Sequence, residues 1–332
     1  MRNNYLQKKI TTGRLTLPVA IIISIACWVL ASFLLPDLPL QKINYSLFQV
    51  LDLSAIPNWT NKTISFLLYA VIGYSLIEFN STFAIIRMRA SVQTSLFFLF
   101  TAACPILQQV DAGNIAAITI LISVYFLFRS YQHHQSSADL FHSFIFIGIG
   151  SLAFPPFTVL IPIWLIGAYN FQSLNVRSFF AAIIGWSIPY WFLFAHAYYH
   201  GDMNLFYKPF IDLASFQPID FSAITLSEIV TSAYLFVLFA VSSIHCFVTS
   251  YQDKIRTRSY LRFIIFVNSY LFILLVLQPM HIACLLSSLL VGVSILVGHL
   301  FVLTNSKASN MFFIFSLIGL ILLYLFNLWT LL

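Results

Sequence analysis

The sequence predicts an all-α, polytopic transmembrane helical bundle, and three observations carry that expectation. Hydrophobic residues make up 60% of the 332, charged residues only 8%, and the apolar residues gather into runs long enough to cross a bilayer. A soluble domain carries roughly a quarter charged residues, which excludes that class. Disorder requires few apolar residues and many charges, and the 35 Phe exclude it. No stretch between the runs exceeds about thirty residues, so residues 1–332 read as a single integral membrane domain with no soluble one.

A spanning helix needs about 20 mostly apolar residues, because about 30 Å of hydrocarbon is crossed at about 1.5 Å per residue with every backbone group satisfied internally. Nine runs qualify: 17–35, 63–86, 90–107, 112–128, 178–199, 229–248, 263–278, 281–303 and 311–332. Two shorter runs, 140–153 and 157–171, flank Pro155 and Pro156. Proline lacks the N–H donor, so that pair breaks any helix through it. The segment 140–171 therefore makes either two short spans or one re-entrant pair. The expectation is about eleven spans, or nine plus the re-entrant pair.

Orientation follows from lysine and arginine, which are retained on the cytoplasmic side. With the N-terminus inside, the inner loops hold thirteen of them, including Arg87, Arg89, Arg129, Lys254, Arg256, Arg258, Arg262 and Lys307, while the outer loops hold only Lys42, Lys62 and Lys208. The N-terminus is expected inside and the C-terminus outside, in the cytoplasmic (inner) membrane. The basic start followed by an uncleaved apolar run reads as a signal anchor. The cysteines, Cys27, Cys104, Cys246 and Cys284, fall in apolar runs without C-x-x-C spacing and read as small hydrophobes.

Two outer loops, 36–62 and 200–228, have room for chemistry. Both mix apolar and aromatic residues with polar ones, a composition suited to the headgroup zone. Asp37 and Asp52 in the first are candidate general bases, able to take a proton from an acceptor hydroxyl. Lys62, Lys208, His196 and His200 are the candidate ligands for a substrate phosphate. His196, His200 and Asp202 form His-x-x-x-His-x-Asp, whose imidazoles fall one helical turn apart on one face, a spacing open to a divalent metal or to a purely interfacial role. No cofactor is certain beyond that possible divalent metal. Glu78 lies about 22 Å along its span, counted at about 1.5 Å per residue, and an acid at that depth is a candidate proton relay or substrate site, or the partner of an inner arginine.

At Arg87-Met-Arg-Ala-Ser91, Pro105, Phe154-Pro155-Pro156 and Gly185-Trp-Ser-Ile-Pro189 the chain resembles a family of uncharacterised bacterial polytopic inner-membrane proteins. In plan it is also similar to the GT-C lipid-dependent glycosyltransferases, with an inside N-terminus, an acid in the first outer loop and a second sizeable outer loop. That resemblance implies Asp37 as base and a polyprenyl-phosphate-linked sugar as donor. The chain departs from it in lacking a close pair of acids in the first loop and in placing every arginine inside. The alternative classes are a non-catalytic membrane subunit or scaffold, and a transporter or flippase. Membrane lipid, a polyprenyl-phosphate sugar and other membrane proteins are the expected partners; nucleic acid is not, since no phosphate-binding glycine loop is present.

Overall fold

The computed structural model of the protein describes residues 6–35, 46–47, 57–86, 91–133, 135–214, 221, 224–304 and 306–332. Over these residues the chain is all-helical. In chain order the α-helices are α1 (Leu6–Thr11), α2 (Thr16–Leu34), α3 (Asn58–Phe83), α4 (Val92–Ala102), α5 (Ala112–Arg129), α6 (Ser137–Ala153), α7 (Leu160–Asn170), α8 (Val176–His200), α9 (Asn204–Ala214), α10 (Leu226–Val248), α11 (Ile255–Leu277), α12 (Ile282–Leu303) and α13 (Lys307–Leu331).

Eight of these are long and apolar enough to cross a membrane: α2, α3, α5, α8, α10, α11, α12 with the turn before it, and α13. The ninth expected run, 90–107, is instead a short helix, α4, of 11 residues. The cause is Pro105. A residue preceding proline is pushed out of the α region, and Cys104 sits at φ −116°, ψ 82°, after which a single 3-10 turn, Pro105–Gln108, follows. The same rule divides 140–171. Phe154 is extended at φ −145°, ψ 94°, the turn Pro155–Val159 follows, and α6 and α7 stand on either side. With 17 and 11 residues, these two helices are about 25 and 16 Å long, shorter than the hydrocarbon core.

Contacts group the chain into two compact units, one made of Met1–Pro39, Asn58–Val110 and Asp220–Leu332, the other of Leu40–Pro57 and Asp111–Ile219. In the first, α12 is the core helix. It packs on α4, α10 and α11, and all but its last residue are buried. Small residues permit that density, because helices in lipid associate through close packing and hydrogen bonds rather than through expulsion of water. A Cβ at Gly292 would fall inside the Asn268 side chain on α11, which would have to move aside for it. Polar groups close the remaining gaps: Tyr69 and Ser287 share a hydrogen bond of 2.8 Å, and Asn327 Nδ2 donates at 2.8 Å to Ala103 O, a carbonyl at the broken end of α4. Gln7 of α1 does the same for α12, donating to Phe301 O at 2.7 Å and Thr304 O at 2.9 Å.

In the second unit α6 packs on α8 and on α5. The α6–α8 crossing is close because it is glycine against backbone: a Cβ at Gly185 would meet the Phe141 carbonyl inside contact distance, and one at Gly148 would meet Trp186 O. Trp164 Nε1 donates to Ser123 Oγ at 2.8 Å, and Ser123 Oγ in turn meets Ser143. An Asn175–Ser178 capping box starts α8. Gly201 ends it in the left-handed conformation, φ 69°.

Candidate functional site

The stretch after α8 forms an apolar surface groove. After Gly201 the chain turns into α9, whose sequence Asn-Leu-Phe-Tyr-Lys-Pro-Phe-Ile-Asp-Leu-Ala alternates apolar and polar at helical spacing. Leu205 is buried in a cluster with Tyr190, Leu193 and Ala197, which anchors α9 on α8. Pro209 sits mid-helix and so cannot donate to the carbonyl four residues earlier, that of Leu205. Ser46 Oγ takes that place, donating to Leu205 O at 3.1 Å.

Between α8 and α9 lies an apolar groove of about 390 Å3, lined by Trp186, Tyr190, Trp191, Phe194, Phe206 and Phe210. Its rings interlock: Phe194 and Phe206 meet edge to face, centroids 5.3 Å apart at 76°, and Tyr190 and Phe210 are tilted at 40° with centroids 5.3 Å apart. The Tyr190 hydroxyl is held from behind by Ser151 at 2.8 Å.

The polar candidates of this unit lie on the same two helices. His196 and His200 lie one turn apart with their rings tilted at 51° and centroids 4.4 Å apart, as their spacing requires. Asp202 accepts the Asn204 N–H at 3.2 Å. Among the described residues, these three do not bring three ligand atoms together. Lys208 faces Asp212 one turn on; partial burial pushes the Asp212 carboxyl up from its usual range, and the Lys208 charge opposes that shift.

The first unit holds Lys62 and Glu78. Lys62 is largely buried near the start of α3, beside Trp59 and Phe66, and lines a small cavity of about 140 Å3. Glu78 is exposed on α3, in line with Tyr74 and Ile77, so its carboxylate points away from the interior of that unit. Asp37 and Asp52, with Arg87 and Arg89, lie outside the described residues.

One constellation escaped sequence reasoning. His245 and Cys246 near the end of α10, Asp253 after it and His299 on α12 converge at one end of the first unit. Cys246 reads as a small hydrophobe when taken alone. The signal available was the presence of imidazoles inside two apolar runs, since polar groups there are costly and call for partners.

No family model, curated protein or solved structure matches the chain.

Proposed function

We propose that the chain is an inner-membrane protein of about eleven spans, or nine plus a re-entrant pair at 140–171, N-terminus inside and C-terminus outside, that takes a lipid-borne substrate at its outer face. The reaction assigned to it is transfer of a sugar from a polyprenyl-phosphate carrier, in the manner of the GT-C glycosyltransferases. The observation that carries this reading is the aromatic groove between α8 and the amphipathic α9. A slot walled by indole and phenyl rings suits a branched isoprenoid chain, whose methyl groups pack on ring faces. Lys208, His196 and His200 stand on the same helix pair as candidate donors to the carrier's phosphate, and Lys62 is a separate candidate in the first unit. Lys acts there as a point charge, and Asp212 competes for Lys208. Asp37 is the general base, with Asp52 second.

Native mass spectrometry of the protein in mild detergent tests this reading. The expected result is a co-purifying polyprenyl phosphate or its sugar adduct, lost from a Phe194→Ala/Phe206→Ala variant, and failure of Asp37→Asn to complement a deletion strain. Bulk phospholipid alone in the wild type, with full complementation by Asp37→Asn, contradicts it.

A second reading, a membrane subunit that docks a partner, draws on Glu78. A carboxylate exposed on a spanning helix costs about 2.5–3.5 kcal/mol at mid-bilayer if it faces lipid, and a partner helix with a donor removes that cost. Affinity purification of wild type and Glu78→Leu discriminates: a stoichiometric membrane partner lost in the variant favours the subunit.

A further inference from the structure

We propose that His245, Cys246 and His299 form a binding site for a single zinc-class transition-metal ion, with Asp253 as the outer carboxylate that orients His299. One potential ligand atom from each of the three lies within 4.8 Å of the others, the spacing that a tetrahedral ion draws together. The Cys246 Sγ to His299 Nδ1 distance is 3.7 Å. The residues come from two helices distant in sequence, and Cys246 and His299 are buried. A chance surface cluster would share neither property.

The second nitrogens of both rings fix which lone pairs are available. Thr304 Oγ1 gives its one proton to Leu300 O, so its lone pair accepts from His245 Nε2 at 3.3 Å. His245 therefore carries its proton on Nε2, leaving a bare lone pair on Nδ1, an atom that is buried without a hydrogen-bond partner. His299 Nε2 lies 3.3 Å from the Asp253 carboxylate, an ion-pair approach rather than an aligned hydrogen bond, and this places the His299 proton on Nε2 as well. The lone pair of His299 Nδ1 then faces Cys246 Sγ. Carboxylate behind histidine and hydroxyl behind histidine are the outer supports that metal-binding imidazoles use to set tautomer and ring angle.

Charge and space agree. On binding, the ion displaces the Cys246 thiol proton, which leaves to water, and a sulfur–metal bond forms. The dication, the thiolate and the Asp253 carboxylate then sum to zero, which suits a buried site. Two imidazoles and one thiolate select a borderline-soft ion such as zinc over calcium or magnesium. Three protein ligands leave a fourth position for water, and a cavity of about 280 Å3 lined by His245, Thr249, Gln252, Asp253 and Thr304 gives both room for it and a route in.

The test is cobalt titration of the chelator-stripped, full-length protein in detergent, read by absorption. The expected result is about one cobalt per chain, with tetrahedral d–d bands and a thiolate-to-cobalt charge-transfer band. Cys246→Ser removes the charge-transfer band and Cys27→Ser leaves it unchanged. His245→Gln retains the charge-transfer band but weakens binding, and Asp253→Asn lowers zinc affinity by about 10–100-fold. If Cys246→Ser does not fold, loss of affinity in the His245 and Asp253 variants, with retention in Cys27→Ser, decides the matter. A folded wild type that binds no cobalt, a six-coordinate spectrum, or a charge-transfer band that survives Cys246→Ser overturns the proposal and leaves a metal-free polar cluster of Cys246, His299 and Asp253.

Discussion

Two pairs of histidines in this molecule differ in nearly every physical respect. His196 and His200 are neighbours because one helix makes them so; the ring of one is half-buried, that of the other exposed, and Asp202 nearby is spent on a backbone N–H. His245 and His299 are neighbours because α10 and α12 pack, and each has a second residue holding its far nitrogen. Spacing on one helix produces proximity at no cost and therefore signifies little. Proximity assembled from distant segments and buried has to be stabilised, and that expense is the reason to read the second pair as a site.

The largest expected effect that tests this contrast is on stability. His299→Ala removes a buried ring from the core helix α12 together with its approach to the Asp253 carboxylate, and truncating a fully buried side chain costs about 2–5 kcal/mol. His200→Ala stays within about 0.5 kcal/mol, as an exposed substitution does. Equal midpoints for the two variants in detergent denaturation would erase the distinction.

Next come the glycines that hold the carrying helices in place. Gly292→Ala forces the Asn268 side chain and α12 apart, by side-chain or helix movement, and Gly185→Ala forces α8 away from the Phe141 carbonyl; each overpacks by a methyl group and costs about 1–3 kcal/mol. Gly292→Ala additionally lowers cobalt affinity because α12 carries His299, whereas Gly185→Ala leaves it unchanged. The same titration read in both variants checks this.

A smaller, pH-dependent effect separates buried from exposed acids. Asp111, the N-cap of α5, is pushed up from 3.8 to about 6 by burial, against the opposing hydrogen bonds from the Asn114 and Gly113 N–H groups. A raised folded-state value means that the native state holds more protons than the unfolded state between those two values. Stability therefore grows as pH falls from about 6 toward 3.8, and that increment is lost as pH rises through about 6. Asp111→Asn should flatten thermal midpoints across that window; an unchanged slope would place the titration elsewhere.

The smallest effect belongs to the half-exposed charges on α9. Lys208→Ala should change stability by less than about 1 kcal/mol, because water screens a pair held near the surface. Thermal shift measured at low and high salt would reveal a larger contribution if one exists.

The helical, membrane-compatible class was legible because composition and run length state it directly. The break at Pro155 and Pro156 was legible as a break, yet the short length of α4 was not: apolarity continues through Cys104 while the backbone does not. The amphipathic character of 204–214 was readable from its alternation, but the groove was not, since it needs rings from α8 and α9 together. His196 and His200 were found because their spacing is local. The His245, Cys246, Asp253 and His299 group was missed because its members are scattered over more than fifty positions and only the packing of α10 on α12 joins them. Lys62 and Glu78 were found by type, whereas their surroundings, one largely buried and the other exposed, depend on what packs against α3.

X-ray absorption at the zinc edge of the zinc-loaded, full-length protein separates the buried cluster from the helix-surface histidine pair. The expected spectrum is a four-coordinate shell with one sulfur at about 2.3 Å and imidazole nitrogens at about 2.0–2.1 Å, unchanged in His196→Ala/His200→Ala. A shell of oxygen and nitrogen without sulfur, or a spectrum altered by that double variant, would place the ion at the exposed pair and contradict it.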